Sequence, residues 1–302
     1  MPPIEADNQR ALADSAHSPG RHDWPLSDLQ AKPGYWGWVA ASPLAGIEFR
    51  MFLGGHDDGV ALRRLWNRHY ERMTLGLWTL RAAQADLVVD IGAHTGVYSL
   101  AAWAARPRGG VASFEPHFMN YARLNLNLRS NGFPTRLSAP LAMSHQDAMV
   151  PFSIHTPLDY LGTGGAVGAQ PGAMTFPVQA RRLDSHLDSA LWPRIGMIKV
   201  DTEGHEDDVL AGSAGLIEQA RPDLLLECTK PEVGAKLTRR LAPLGYGFFL
   251  IDDRECTVQP AAEIAPELPG GEPVMHRLNR LATQRTPSQM EHLAAETRRR
   301  LP

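Results

Sequence analysis

Four short apolar runs that each end in an acidic residue constrain the fold of this chain most. Leu87-Val88-Val89 runs into Asp90, Val111 to Phe114 into Glu115, Met197 to Val200 into Asp201, and Leu224-Leu225-Leu226 into Glu227. Between the first two, Tyr98 to Ala105 is alanine-rich and reads as a helix. After Glu115, Phe118, Tyr121, Leu124 and Leu128 recur at helical spacing up to Asn131-Gly132, a good C-terminal stop. Short strands alternating with helices imply βαβ units and a parallel sheet, hence an α/β fold. Ligands of such sheets bind outside the carboxyl ends of the strands. The four acids therefore fall where chemistry is expected.

The flanking sequence divides the chain. Residues 1–34 read as a flexible tail, and no apolar run there has signal-peptide length. Residues 35–85 read as an extension that packs on the core. Ile47 to Leu53 is its strand, and Leu62, Leu65, Trp66, Tyr70, Met73 and Leu77 mark a helix broken near Gly76. The core domain spans 86–285. Inside it, Met149 to Ala180 holds Gly162, Gly164, Gly165, Gly168 and Gly172 and reads as a long mobile loop beside the acceptor pocket. Thr286-Pro287-Ser288-Gln289 combines a capping box with a proline at the first helical position and opens a C-terminal helix over 286–302.

Composition excludes some classes. The formal net charge of −3 over 302 residues argues against a nucleic-acid partner. No stretch approaches the ~18 consecutive apolar residues of a membrane span. Cys228 and Cys256 are the two cysteines, too few for a disulfide framework, which makes a reduced, cytoplasmic setting the expectation.

The most informative segment is Val88 to Ser99, which contains Asp90-Ile91-Gly92-Ala93-His94-Thr95-Gly96. It sits on a strand, a tight turn and a helix start. Gly92 and Gly96 let backbone approach a ligand, and the helix start offers free N–H groups. Glu115, at the end of the next strand, can accept hydrogen bonds from two ribose hydroxyls. A nucleoside-containing cofactor follows. The third glycine of the dinucleotide fingerprint is missing, and no P-loop is present. An acid before the first glycine suits the ammonium and sulfonium of S-adenosyl-L-methionine better than a pyrophosphate.

VVDIGAHTGVYSL (88–100), FEPHFMNYARLNLNLRSNG (114–132), IKVDTEGHEDDVLAG (198–212) and RPDLLLE (221–227) resemble the FkbM-type methyltransferases. Arg182-Leu183-Asp184 matches the family's lead-in to the fourth strand. The resemblance covers roughly residues 65–255. It implies a Rossmann-like seven-stranded class I methyltransferase sheet, S-adenosyl-L-methionine as methyl donor, and O-methylation of a sugar, glycan or secondary metabolite. His94 departs from the family's commoner Asn. Family and chemistry together place Asp90, Gly92, Ala93 and Gly96 at the methionine end of the cofactor. His94 lies in the same turn, and Thr95, Tyr98 and Ser99 lie beside it. Glu115 holds the ribose, and the resemblance puts Ala142 and Ser144 at the adenine.

Catalysis is expected from Lys199 to Glu206. An alcohol is a poor nucleophile until a base takes its proton, and Asp201, Glu203 and His205 are the candidates. His205, whose unperturbed pKa near ~6.5 suits the task, leads. Other readings stand beside these. Glu203 or Glu206 can simply favour a helix N-terminus, His205 can be a solvated first-turn residue, and Lys199 can pair with Asp201. Asp201 and Glu227 end adjacent strands and can share a divalent metal, but no third acid is apparent beside them, so metal-free catalysis is the expectation. A nicotinamide oxidoreductase and a non-catalytic S-adenosylmethionine-binding module remain as alternatives. The acceptor and the oligomeric state are not legible.

Overall fold

A computed structural model describes residues 3–17, 24–154 and 165–302. In chain order its strands are β1 (Tyr35–Leu44), β2 (Ile47–Gly55), β3 (Leu87–Ile91), β4 (Gly110–Phe114), β5 (Ser138–Ala139), β6 (Ala142–Met143), β7 (Ala148–Ile154), β8 (Gly165–Val167), β9 (Met174–Arg181), β10 (Ile195–Val200), β11 (Asp223–Glu227), β12 (Gly247–Asp252), β13 (Thr257–Ala261) and β14 (Asn279–Thr283). The central sheet runs β13-β12-β14-β11-β10-β3-β4-β5. Its β11-β10-β3-β4-β5 part is parallel, and β14, β12 and β13 add to it antiparallel. The expected α/β class and the four acid-ended strands are all present. The sheet has eight strands rather than seven. The additional strand, β13, pairs with β12 at the sheet edge and carries Pro260, whose missing N–H is tolerated at an edge.

Side chains alternate across this sheet. Val88, Val111, Met197 and Leu225 face one hydrophobic cluster, whereas Val89, Ala112, Ile198 and Leu226 face the other. The first cluster includes residues of β1, β2 and the helices Arg72–Ala82, Val97–Ala105 and Pro287–Arg300. The second includes residues of the helices Glu206–Ala211, Ala214–Ala220 and Pro231–Leu241. Every residue from Met73 to Ala82 is buried. That helix is covered all round, as its lack of a polar face requires.

Several local expectations change. The segment 61–80 is two helices, Gly59–Trp66 and Arg72–Ala82, and the break falls at 67–71 rather than at Gly76. Gly76 instead lets the C-terminal helix approach: a Cβ there would stand 2.9 Å from Leu301 and 3.0 Å from Thr297. The residues expected as a tail form a helix over Pro3–His17, and Asn8 exchanges two hydrogen bonds with the backbone of Trp36 at 2.9 and 2.7 Å. The described part of the segment 149–180 is largely β-structure: β7, β8 and β9 join β6 in a second sheet. Gly162 and Gly164 lie outside the described residues. The C-terminal helix begins with its capping box made, Thr286 and Gln289 each bonding the other's backbone.

Candidate active site

The carboxyl ends of β3, β4, β10 and β11 open into a cavity of about 730 Å³. That volume lies within the ~300–1,000 Å³ of small-molecule sites. Trp24 of the N-terminal segment and Tyr70 and Glu71 of the extension close it from one side, and Phe152 and Val167 of the second sheet from another. No helix among the described residues is long and apolar enough to cross a membrane.

The glycine turn forms the floor. Gly92 has φ +72°, and a Cβ on it would fall 1.7 Å from the backbone oxygen of Asp201. The turns after β3 and β10 therefore touch, which only glycine permits. His94 follows in the left-handed region at φ 51°. Its N–H donates to Glu115 Oε2 at 2.8 Å, and the His117 N–H donates to Glu115 Oε1 at 2.8 Å. One buried carboxylate thus ties the glycine turn to the end of β4. Burial raises the Glu115 pKa, opposed by His94 and by those two N–H donors. Asn120 lies 5% exposed on the same wall, and among the described residues its Oδ1 has no partner; nor does His94 Nε2.

Beside this floor is a charged group built around Lys199. Its ammonium lies 3.0 Å from Asp201 Oδ2, 3.4 Å from the Gly92 carbonyl and 3.9 Å from Asp90 Oδ1, and 4.8 Å from the centroid of the Tyr98 ring. Burial works to lower the Lys199 pKa, but Asp201, Asp90 and Glu71 outweigh it and the ammonium is held above its ordinary range. The Tyr98 hydroxyl donates to Glu71, which sits in the left-handed region at φ 41°. Burial raises the Glu71 pKa.

Asp201, Glu203 and Glu227 bring one carboxylate oxygen each within 4.8 Å of one another. The missing third acid is therefore present, and the set can hold a divalent cation. Burial, then the charges of Asp201 and Glu206, push the Glu203 carboxyl up to about 8. Glu203 is the most exposed of the three, so solvent screens part of this effect. Burial, then the charges of Asp201 and Glu203, raise Glu227 as well. Glu203 too is left-handed, at φ 58°. Its loop is fastened by buried Glu206, whose Oε1 accepts from the N–H groups of Thr202 and Gly204 at 3.0 Å each and from the Thr202 hydroxyl at 3.1 Å. Among the described residues, three of the six left-handed non-glycine residues, Glu71, His94 and Glu203, thus line this one cavity, the distribution expected where strain serves a site.

The sequence candidates separate accordingly. Gly92, Ala93, His94, Tyr98, Glu115, Ala142, Asp201 and Glu203 line the cavity. Asp90, Thr95, Gly96, Ser99 and Ser144 stand behind its walls. Asp90 accepts from Ser99 Oγ at 2.6 Å, and Ser99 is 2.7 Å from Ser113 Oγ, a buried polar knot under the turn. His205 is also outside the lining. Its Nε2 lies 3.0 Å from Ser144 Oγ and its Nδ1 3.0 Å from Asp208, so both ring nitrogens are engaged. The ring thus joins the loop of Ser144 to the start of the helix Glu206–Ala211. Sequence reading missed Tyr70, Glu71 and Asn120. No spacing points to the first two, which the extension folds in from outside the core; Asn120 follows Glu115 closely enough that proximity was the available signal.

A family model described as the methyltransferase FkbM domain matches residues 90–248. Among solved structures, similarity extends to the methyltransferase FkbM of Methylobacillus flagellatus, at 15% identity over 74% of this chain and 53% of that one, with a TM-score of 0.40. This chain thus spans about half of that protein's length. A SAM-dependent O-methyltransferase of Thermotoga maritima is 12% identical over 72% of this chain and 66% of that one, with a TM-score of 0.38. A SAM-dependent methyltransferase of Agrobacterium tumefaciens is 11% identical over 84% and 72%, with a TM-score of 0.41. No curated protein matches the chain. The family match covers over half of the chain, includes the glycine turn and the four acids at the strand ends, and sets aside the nicotinamide alternative: the chain belongs to the FkbM family of methyltransferases.

Proposed function

We propose that the large cavity binds S-adenosyl-L-methionine and transfers its methyl group to a hydroxyl of a sugar, glycan or secondary metabolite. The observation that carries this reading is that the Glu115-locked glycine turn and the Asp201–Glu203–Glu227 acids line one and the same cavity. The lining fits the cofactor. Gly92, Ala93 and His94 offer close backbone at the methionine end, Glu115 offers carboxylate oxygens to the ribose, and Ala142 with the unpartnered Asn120 Oδ1 borders the adenine side. When bound, this cofactor supplies an electrophilic methyl on sulfonium sulfur. The chain's part is to hold the acceptor oxygen in line and to take its proton, and orientation supplies much of the acceleration.

Glu203 is the base in this reading. It opens on the cavity, and a carboxyl near 8 matches a proton acceptor working close to neutral pH. Lys199 holds Asp201 in place, and His205 with Glu206 positions the loop that carries Glu203. Residues 86–285 act as the catalytic unit, with 35–85 closing the cavity. Calorimetry with S-adenosylhomocysteine, followed by turnover against a panel of sugar and polyol acceptors, tests the reading. Absence of cofactor binding refutes it; binding without transfer to any acceptor favours the regulatory module.

A second reading is favoured by the three converging carboxylates: a divalent ion on Asp201, Glu203 and Glu227 that orients the acceptor hydroxyl. Turnover lost in EDTA and restored by Mg²⁺ selects it. Turnover that survives EDTA selects the metal-free base.

A further inference from the structure

Behind the turn that carries Glu71 lies a second cavity, of about 290 Å³, whose walls include Arg64, Arg68, Arg72, Leu75 and Leu301. It shares His69, Tyr70 and Arg72 with the large cavity, so the turn is the partition between the two. Among the described residues none of the three arginines has a carboxylate partner. Arg64 donates to the Ser42 carbonyl at 3.3 Å and Arg68 to the Ser15 carbonyl at 2.7 Å, while Arg72 makes no hydrogen bond or ion pair. Arg64 is only 9% exposed, and its Nε is without a partner. Burial lowers its pKa to about 10.

A buried cation without a counter-charge is costly, and folding normally supplies a carboxylate beside it. The acid on this turn, Glu71, is turned the other way, toward Tyr98. Three arginines border one small cavity whose lining includes no Asp or Glu side chain, and a phosphoryl group matches their charge and their capacity to donate. We propose that this second cavity is an oxyanion site that takes a phosphate group, as inorganic phosphate or as a phosphate monoester. A ligand there bridges Arg68 and Arg72 on either side of Glu71. Arg68 and Glu71 both hold left-handed backbone, so the occupied site steadies a strained turn that faces the large cavity.

Isothermal calorimetry on the full chain tests this, with inorganic phosphate and glycerol phosphate titrated separately. Saturable binding is expected for at least one of them. Arg68→Ala, an exposed position bordering the small cavity alone, weakens it about tenfold or more, as the loss of one charge-assisted contact requires. Arg64→Met weakens it further if the variant folds; the Arg68 variant keeps the test decisive if it does not. Tighter binding of glycerol phosphate marks an ester as the ligand, and equal binding marks the free anion. No saturable heat with either probe, or wild-type affinity in Arg68→Ala, overturns the proposal.

Discussion

Replacing Glu115 by alanine separates the two tasks this carboxylate performs. In the free protein it accepts the N–H groups of His94 and His117, each at 2.8 Å, at a position only 5% exposed. Hydrogen bonds to a charged acceptor contribute roughly 1.5–3 kcal/mol each, so losing both costs on the order of 3 kcal/mol or more of stability. Part of that appears as freedom of the left-handed His94 turn. In the proposed complex the same oxygens also hold ribose hydroxyls. Loss of even one such contact weakens binding at least ~10-fold, since about 1.4 kcal/mol corresponds to a factor of ten. Calorimetric titration of S-adenosylhomocysteine, with circular dichroism to verify the fold, measures both effects. Glu115→Gln serves as the companion variant. Its amide oxygen can still accept one N–H, while its NH₂ group faces the other, so the fold is kept and binding is weakened. Wild-type affinity in either variant, with the fold intact, refutes the ribose assignment.

Gly92→Ala places a Cβ 1.7 Å from the Asp201 oxygen at a left-handed position, and a loss of more than ~3 kcal/mol is expected by chemical denaturation; a variant as stable as wild type would mean that the two turns are not in contact. His205→Ala removes a clamp rather than a base, so kcat falls less than about tenfold while the melting temperature drops; a kcat loss of ~10²–10⁴ restores the imidazole to the chemistry. For Glu203 the folded pKa of about 8 lies above the ordinary value of 4.5, so its contribution to stability is complete below about 4.5 and is lost as pH rises through about 8. Glu203→Gln escapes that loss, so its melting temperature relative to wild type should rise between mildly acidic and alkaline pH in the cofactor-free protein. The same variant should lack the limb of kcat/KM that ascends through about pH 8 in the wild type, and a surviving limb assigns the base elsewhere.

What could be read from residues alone was what depends on neighbours in sequence. The four apolar runs ending in Asp90, Glu115, Asp201 and Glu227 indicate a parallel sheet because strand length and burial are local patterns, and the sheet brings all four strand ends to one edge. The glycine turn was legible for the same reason: a left-handed backbone at Gly92 demands a particular residue. The Thr286 capping box likewise involves groups three residues apart.

Contacts between distant segments were settled only by the tertiary structure. His205 has the chemistry of a base, yet its ring is engaged by Ser144, which is 61 residues away in sequence. Spacing alone leaves Glu203 as either a candidate base or a helix-start residue; the adjacent ends of β10 and β11 set it beside Asp201 and Glu227 as a third carboxylate. Tyr70 and Glu71 precede the first core strand and carry no motif, but the extension folds over the sheet edge and delivers them to the cavity. Periodicity and turn chemistry record how a segment folds on itself. Which charges end up facing each other across a cavity depends on how layers pack, and that information is spread over the whole chain.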